Sequence, residues 1–207
     1  MKKIGIIDYG MGNLHSVKNA LDHIGVENFV TSDINELDLA DGLILPGVGA
    51  FGDAIAALKA TETDEYLRRY AADGRPLLGI CLGMQLLADK SYEMGEWEGL
   101  GLIGGEVVRL TAGETDRAYK IPHMGWNSVK NLNRSPLTEN VADDTYFYFV
   151  HSYKFEVKDR NDLLCVTDYG EEIAAIVGKG NVYGAQFHPE KSEDTGLNLL
   201  KQFYSII

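Results

Sequence analysis

Arg75-Pro-Leu-Leu-Gly-Ile-Cys-Leu-Gly-Met-Gln-Leu-Leu-Ala88 runs from a charged residue through an apolar stretch to a thiol, then on into a second apolar stretch. Pro76–Ile80 has the unbroken apolar character of a strand covered on both faces. The residues through Ala88 read as a helix, so Cys81 falls at a glycine-flanked bend between them. Such an elbow lifts a nucleophile above the sheet edge and turns the N–H groups of the new helix toward whatever it attacks.

Upstream of this stretch, strand and helix signals alternate. Ile4–Asp8 reads as a strand, and Asn13 is placed to cap a helix with Leu14, Val17, Leu21 and Ile24 on one face, ended by Gly25. Val26–Val30 and Gly42–Leu45 read as strands, the second closed by Pro46 and Gly47. Helices are expected over 53–60 and 64–72, the latter stopped by Gly74. Apolar strands alternating with helices predict an α/β fold: a mostly parallel central sheet with helices on both faces.

Downstream, strands dominate. Candidates are Glu106–Leu110, Trp126–Val129, Thr145–His151, Leu163–Thr167, Glu172–Val177 and Val182–Phe187, the last two joined by a Gly178-Lys-Gly-Asn181 hairpin signal. These add antiparallel strands to the C-terminal half. Ser192 is placed to cap a final helix with Leu197, Leu200 and Tyr204 inward. With no repeat, low-complexity tract or linker, 1–207 reads as a single domain.

The chain has 207 residues, 45% of them hydrophobic and 24% charged, which is ordinary globular composition. A net charge of −12 argues against nucleic acid or an anionic membrane as a main partner. The opening Met-Lys-Lys-Ile-Gly-Ile-Ile-Asp runs into a strand pattern rather than a signal peptide, and no apolar run is long enough for a membrane span. Two distant cysteines without metal-type spacing suit a reducing, cytoplasmic setting. The scattered Cys and His residues argue against a metal site.

A nucleophilic thiol needs a base, and the base needs an orienting partner. Five histidines are available: His15, His23, His123, His151 and His188. His188 follows the strand Val182–Phe187 directly, at a strand end, where α/β sites gather. Glu190 lies two residues on, and in an extended segment would face the same side as the imidazole. His15 and His23 fall on the first helix. His123 and His151 sit near strand ends, as structural residues or as site walls. Cys165, inside Leu163-Leu-Cys-Val-Thr167, reads as a buried hydrophobe.

Gly47-Val-Gly-Ala-Phe-Gly52 matches G-x-G-x-x-G. It is not at the first strand–helix turn, Pro46 precedes it, and the next strand ends in Cys81 rather than an acid. A donor loop facing the thiol is the better use. An acyl-transfer site needs N–H groups at the oxyanion, each worth about 3 kcal/mol. Leu82 N–H is one candidate, Val48 or Gly49 the other. Gln85, one helical turn after Cys81, offers a donor and an acceptor near the thiol.

The ordered set Pro46-Gly-Val-Gly49, Gly79-Ile-Cys-Leu-Gly-Met-Gln85 and Phe187-His-Pro-Glu190 resembles the class I (triad) glutamine amidotransferases, whose fold is flavodoxin-like. Tyr9-Gly-Met-Gly-Asn13, His123-Met-Gly-Trp-Asn127, Tyr148-Phe-Val-His-Ser-Tyr153 and Gln186-Phe-His-Pro-Glu-Lys-Ser192 narrow the likeness to glutaminase subunits of imidazole glycerol phosphate synthase. The resemblance covers essentially the whole chain. It implies Cys81 as nucleophile, His188 as base and Glu190 as its orienter. It implies Gly47, Gln85, Ser152 and Tyr153 as the glutamine site, and no metal or organic cofactor. It also implies a (βα)8-barrel cyclase as heterodimer partner in histidine biosynthesis, with Asn13, Trp126 and Lys191 near the docking face. Alternatives are a glutaminase serving another synthase, of anthranilate or aminodeoxychorismate type, a non-catalytic module of the same fold, or a peptidase.

Overall fold

The strands β1 (Ile4–Ile7), β3 (Gly42–Gly47) and β4 (Leu77–Cys81) are buried along their whole length, as apolar runs sandwiched between helices must be. The computed structural model describes residues 2–111 and 119–207. Between these strands lie α1 (Leu14–His23), β2 (Asn28–Thr31), α2 (Ile34–Leu37), α3 (Phe51–Ala60) and α4 (Thr63–Ala72), and α5 (Leu82–Leu86) follows β4 directly. Asn13 caps α1 as expected: its Oδ1 accepts the Ser16 N–H at 3.3 Å.

The second half contributes β5 (Lys90–Ser91), β6 (Trp97–Glu98), β7 (Gly105–Arg109), β8 (His123–Ser128), β9 (Lys130–Asn131), β10 (Tyr146–His151) and β11 (Tyr153–Val157). It ends with β12 (Leu163–Asp168), β13 (Glu172–Lys179), β14 (Val182–Ala185) and α6 (Glu193–Ile206). One sheet joins both halves in the order β2-β1-β3-β4-β14-β13-β12-β9. The first five strands are parallel; β13, β12 and β9 continue antiparallel. A ribbon β10-β8 and a four-stranded sheet β11-β7-β5-β6 stand apart from it. This is the expected architecture, parallel centre and antiparallel C-terminal extension together.

Two apolar layers cover the sheet. On one face Ile4, Ile6, Ile44 and Leu78 pack with Val17 and Leu21 of α1 and Leu199, Leu200 and Phe203 of α6. On the other, Ile7, Leu43, Leu45 and Leu77 pack with Phe51, Ile55 and Leu58 of α3 and Leu67 and Tyr70 of α4. The inward face of α6 differs from the sequence expectation. Leu197 and Tyr204 only flank the core, while Leu199 and Phe203 enter it with Leu200.

Ser192 differs too. It makes no side-chain cap. Its hydroxyl donates to the His188 carbonyl at 2.6 Å and accepts the Tyr148 N–H at 2.9 Å, tying the chain after β14 to β10. The strand expected at Trp126 begins at His123, because each residue from 123 to 128 has a partner on β10, from His123↔His151 to Ser128↔Tyr146.

Candidate active site

Three parallel neighbours end together. Gly47 of β3 pairs with Cys81 of β4, and Ile80 pairs with Ala185 of β14. The loop Val48–Gly49, the thiol and the His188 segment therefore meet at the carboxyl edge of the sheet, where α/β sites form.

Cys81 holds φ 55° and ψ −110°, a left-handed backbone that no β-carbon favours. The helix starts at once after it, so the thiol stands at the bend. Glycine at position 83 makes the elbow possible: a Cβ there would lie 1.8 Å from the Leu45 carbonyl oxygen. Gly49 has φ +101°, which likewise favours glycine in the loop opposite. Pro46, at the root of that loop, offers its carbonyl to the Tyr9 hydroxyl at 2.9 Å. Burial, with Cys81 alongside, pushes the Tyr9 phenol upward, so it stays a donor.

A cavity of about 360 Å³ opens over the thiol. Val48, Gly49, Cys81, Leu82, Gln85, Glu93, Val150, His151, Ser152, Tyr153, His188 and Lys191 line it. Most of the site residues expected from sequence are thus brought together. Gly47 is not on the wall: it is buried behind it, against the Gly83 N–H and the Tyr9 hydroxyl, and supports the loop. Asn13 caps α1 beyond the cavity. Trp126 is 43% exposed, paired across the ribbon with Tyr148 and packed edge-on to its ring. A wider surface groove of about 890 Å³ near Asn131, Arg134 and Asp143 has no thiol or imidazole on its walls.

Two histidines line the cavity with the thiol, and their hydrogen bonds set them apart. His188 Nδ1 contacts Glu190 Oε1 at 2.8 Å, with both side chains almost wholly buried. The segment between them is not extended as the sequence suggested. Pro189 starts a short 3₁₀ turn through Lys191, its fixed φ suiting the first position, and the turn swings Glu190 back to the ring. Burial disfavours the His188 cation, but Cys81 and Glu190 outweigh it and raise its pKa to about 9. Glu190 Oε2 is buried with no hydrogen-bond partner among the described residues, so the nearby imidazolium compensates this carboxylate.

His151 has both ring nitrogens engaged, Nδ1 with the Tyr153 carbonyl at 2.8 Å and Nε2 with His123 Nδ1 at 2.9 Å. Burial, then the neighbouring His123 and His188, push its pKa down to about 3 against the pull of the Tyr153 carbonyl. It lines the cavity with both ring nitrogens already engaged.

Sequence reasoning missed two residues. Gln186, fully buried, accepts from Gln85 Nε2 at 3.0 Å and directs its own Nε2 to Cys81 Sγ at 3.9 Å. Gln85 also donates to the Tyr153 carbonyl at 3.0 Å. Glu93 brings a carboxylate to the cavity while accepting the Phe51 N–H at 2.8 Å. Burial raises its pKa, against the Phe51 bond. The period-two position of Gln186 was a usable signal; Glu93, in a loop after a two-residue strand, had none.

Among the described residues no group of three His, Cys, Asp or Glu side chains is placed to hold a metal. No helix among them is long and apolar enough to cross a membrane.

The model of the family Glutamine amidotransferase class-I matches residues 5–206. Imidazole glycerol phosphate synthase subunit HisH of Bacillus subtilis (strain 168) is 52% identical over 201 residues, 97% of this chain and 94% of that protein. The HisH subunit of Geobacillus sp. (strain WCH70) is 51% identical over 205 residues, 99% and 97% of the two chains. Among solved structures, PurLQS from Thermotoga maritima superposes with a TM-score of 0.79 at 20% identity, covering 99% of this chain and 98% of that one. A glutamine amidotransferase from Thermotoga maritima gives 0.66 at 16%, covering 99% and 81%. Those two share the fold; the HisH likeness is far closer. The chain belongs to the class I glutamine amidotransferases, within the family of imidazole glycerol phosphate synthase HisH subunits.

Proposed function

We propose that Cys81 attacks the side-chain carboxamide of glutamine, with His188 and Glu190 as its catalytic partners. The observation that carries this is a thiol at a strained elbow sharing one cavity with an imidazole that a buried carboxylate holds. His188 holds the proton of the attacking thiol as an imidazolium while the C–S bond forms, and gives it to the amide nitrogen as the C–N bond breaks and ammonia departs. It then activates a water that hydrolyses the glutamyl thioester, releasing glutamate and restoring the thiol. Leu82 N–H, with an N–H of Val48 or Gly49, supports the tetrahedral oxyanion. The Gln85, Ser152 and Tyr153 wall receives the amino-acid end. Glu93 supplies the negative charge that an α-ammonium group needs.

The ammonia passes to a partner, a (βα)8-barrel cyclase that forms imidazole glycerol phosphate and AICAR in the cytoplasm. Half the sequence is shared with HisH subunits over nearly full length, which favours this synthase over an anthranilate or aminodeoxychorismate type. The test is reconstitution with that cyclase. Cys81→Ala is expected to abolish glutamine-dependent synthesis and leave ammonia-dependent synthesis intact. Glutamine hydrolysis retained in pure Cys81→Ala protein would overturn the assignment.

A further inference from the structure

A line of polar side chains runs from the exposed ribbon to the thiol. Asn127 Nδ2 donates to the Asp168 carbonyl at 3.1 Å, and its Oδ1 lies 3.0 Å from His123 Nε2. His123 Nδ1 meets His151 Nε2, and His151 Nδ1 meets the Tyr153 carbonyl. That carbonyl also accepts from Gln85, which donates to Gln186, which reaches Cys81. One backbone oxygen on the wall of the cavity is thus held by two side chains arriving from different elements.

The place where this happens needs holding. At Ser152 the chain leaves β10, paired to β8, and enters β11, paired to β7 in another sheet. No single ladder sets the backbone there. The Ser152 carbonyl is taken by the Leu110 N–H at 3.0 Å, and the Tyr153 carbonyl by Gln85 and His151. In a planar trans peptide each anchored C=O fixes the direction of the following N–H. These bonds therefore decide which groups of the 152–154 backbone face the cavity.

The proton on His151 is determined by its neighbours. A carbonyl only accepts, so Nδ1 carries the hydrogen, and in a neutral ring Nε2 is then a bare acceptor. His123 must donate to it from Nδ1. Neutral rings leave the outer contact, His123 Nε2 to Asn127 Oδ1, without a proton. Asn127 is only partly buried, so that end of the line is within reach of water. His123 itself is clamped between Phe149 and Tyr169, with ring centroids 4.9 and 3.9 Å away.

We infer that His151 is a positioning residue: locked by His123 in the Nδ1-donating tautomer, it fixes with Gln85 the Tyr153 carbonyl and so the wall that receives the amino-acid end of glutamine. This rests on the glutaminase function proposed above. It separates binding from chemistry, because His151 acts on the wall while His188 acts on the thiol.

Amide substitutions test it in the full chain with its synthase partner. In His151→Asn the side-chain nitrogen takes the place of Nδ1 and keeps the bond to Tyr153. In His151→Gln it takes the place of Nε2 and loses that bond. His151→Gln is expected to raise the KM for glutamine about tenfold with kcat little changed, the signature of lost ground-state binding. His151→Asn should stay within about threefold of wild type. Should His151→Gln not fold, His123→Phe, which removes the tautomer lock, is expected to give the same rise. Equal KM values in all variants, or equal rises in Asn and Gln variants that follow a common loss of Tm, would overturn the inference. Failure of the wild-type complex to hydrolyse glutamine would instead strike the underlying function.

Discussion

His188 and His151 line the same cavity yet are driven to opposite charge states. The pKa of His188 is raised to about 9. Its contribution to stability is therefore complete below the unfolded value of about 6.5 and is lost as pH rises through about 9. The pKa of His151 is lowered to about 3. Its contribution is complete above about 6.5 and is lost as pH falls toward 3. Denaturant unfolding against pH should show stability declining on the alkaline side, and His188→Gln should flatten that limb. His151→Gln should flatten part of the acid limb. The grouping of Cys81, His188 and Glu190 was legible in the sequence because the thiol ends β4 and the other two follow closely on β14. Gln186 and Glu93 were not. Their roles come from contacts with Gln85, Cys81 and Phe51, far away along the chain; the spacing of two from His188 marks only the face of Gln186, and no local pattern marks Glu93.

The β4–α5 elbow is the element on which the chemistry stands, and Gly83 is its weakest point. A methyl group there would collide with the Leu45 backbone of β3 rather than with a side chain that could move aside. Gly83→Ala is expected to cost about 3 kcal/mol or more, read as a large fall in Tm or as insoluble protein. The long apolar strands and the Asn13-capped helix could be read from periodicity alone. The two-residue strands β5, β6 and β9 could not, being too short to show a period. β11 was missed because its residues Tyr153–Val157 mix aromatic and charged positions with only Phe155 fully buried. Ser192 looked like a helix cap, but the His188 carbonyl and the Tyr148 N–H compete for its hydroxyl and win. The turn at Pro189 shows the same competition between a local pattern and a tertiary contact.

Across the molecule, the sheet brings three strand ends to one edge, and the β8–β10 ribbon stands beside them. Met124 (59% exposed), Trp126 and Tyr146 give this side an apolar surface, and Lys191 stands exposed at the cavity mouth. This surface suits the proposed cyclase partner, which would cover the cavity and keep ammonia from bulk water. The parallel order of the sheet followed from the alternation of strands and helices. Docking geometry did not, because surface apolar residues do not reveal a partner's shape. The two thiols make the central claim measurable. Cys81 opens to the cavity, whereas Cys165 is fully buried, donates to Asn131 Oδ1 at 3.2 Å, and has its pKa pushed up by burial to about 12. The decisive measurement is labelling of the partner-bound chain with a glutamine-like electrophile, followed by peptide mapping. One adduct on Cys81, slowed by excess glutamine, with Cys165 unmodified, is the expected result. Full loss of glutaminase activity with Cys81 unlabelled would contradict its assignment as the nucleophile.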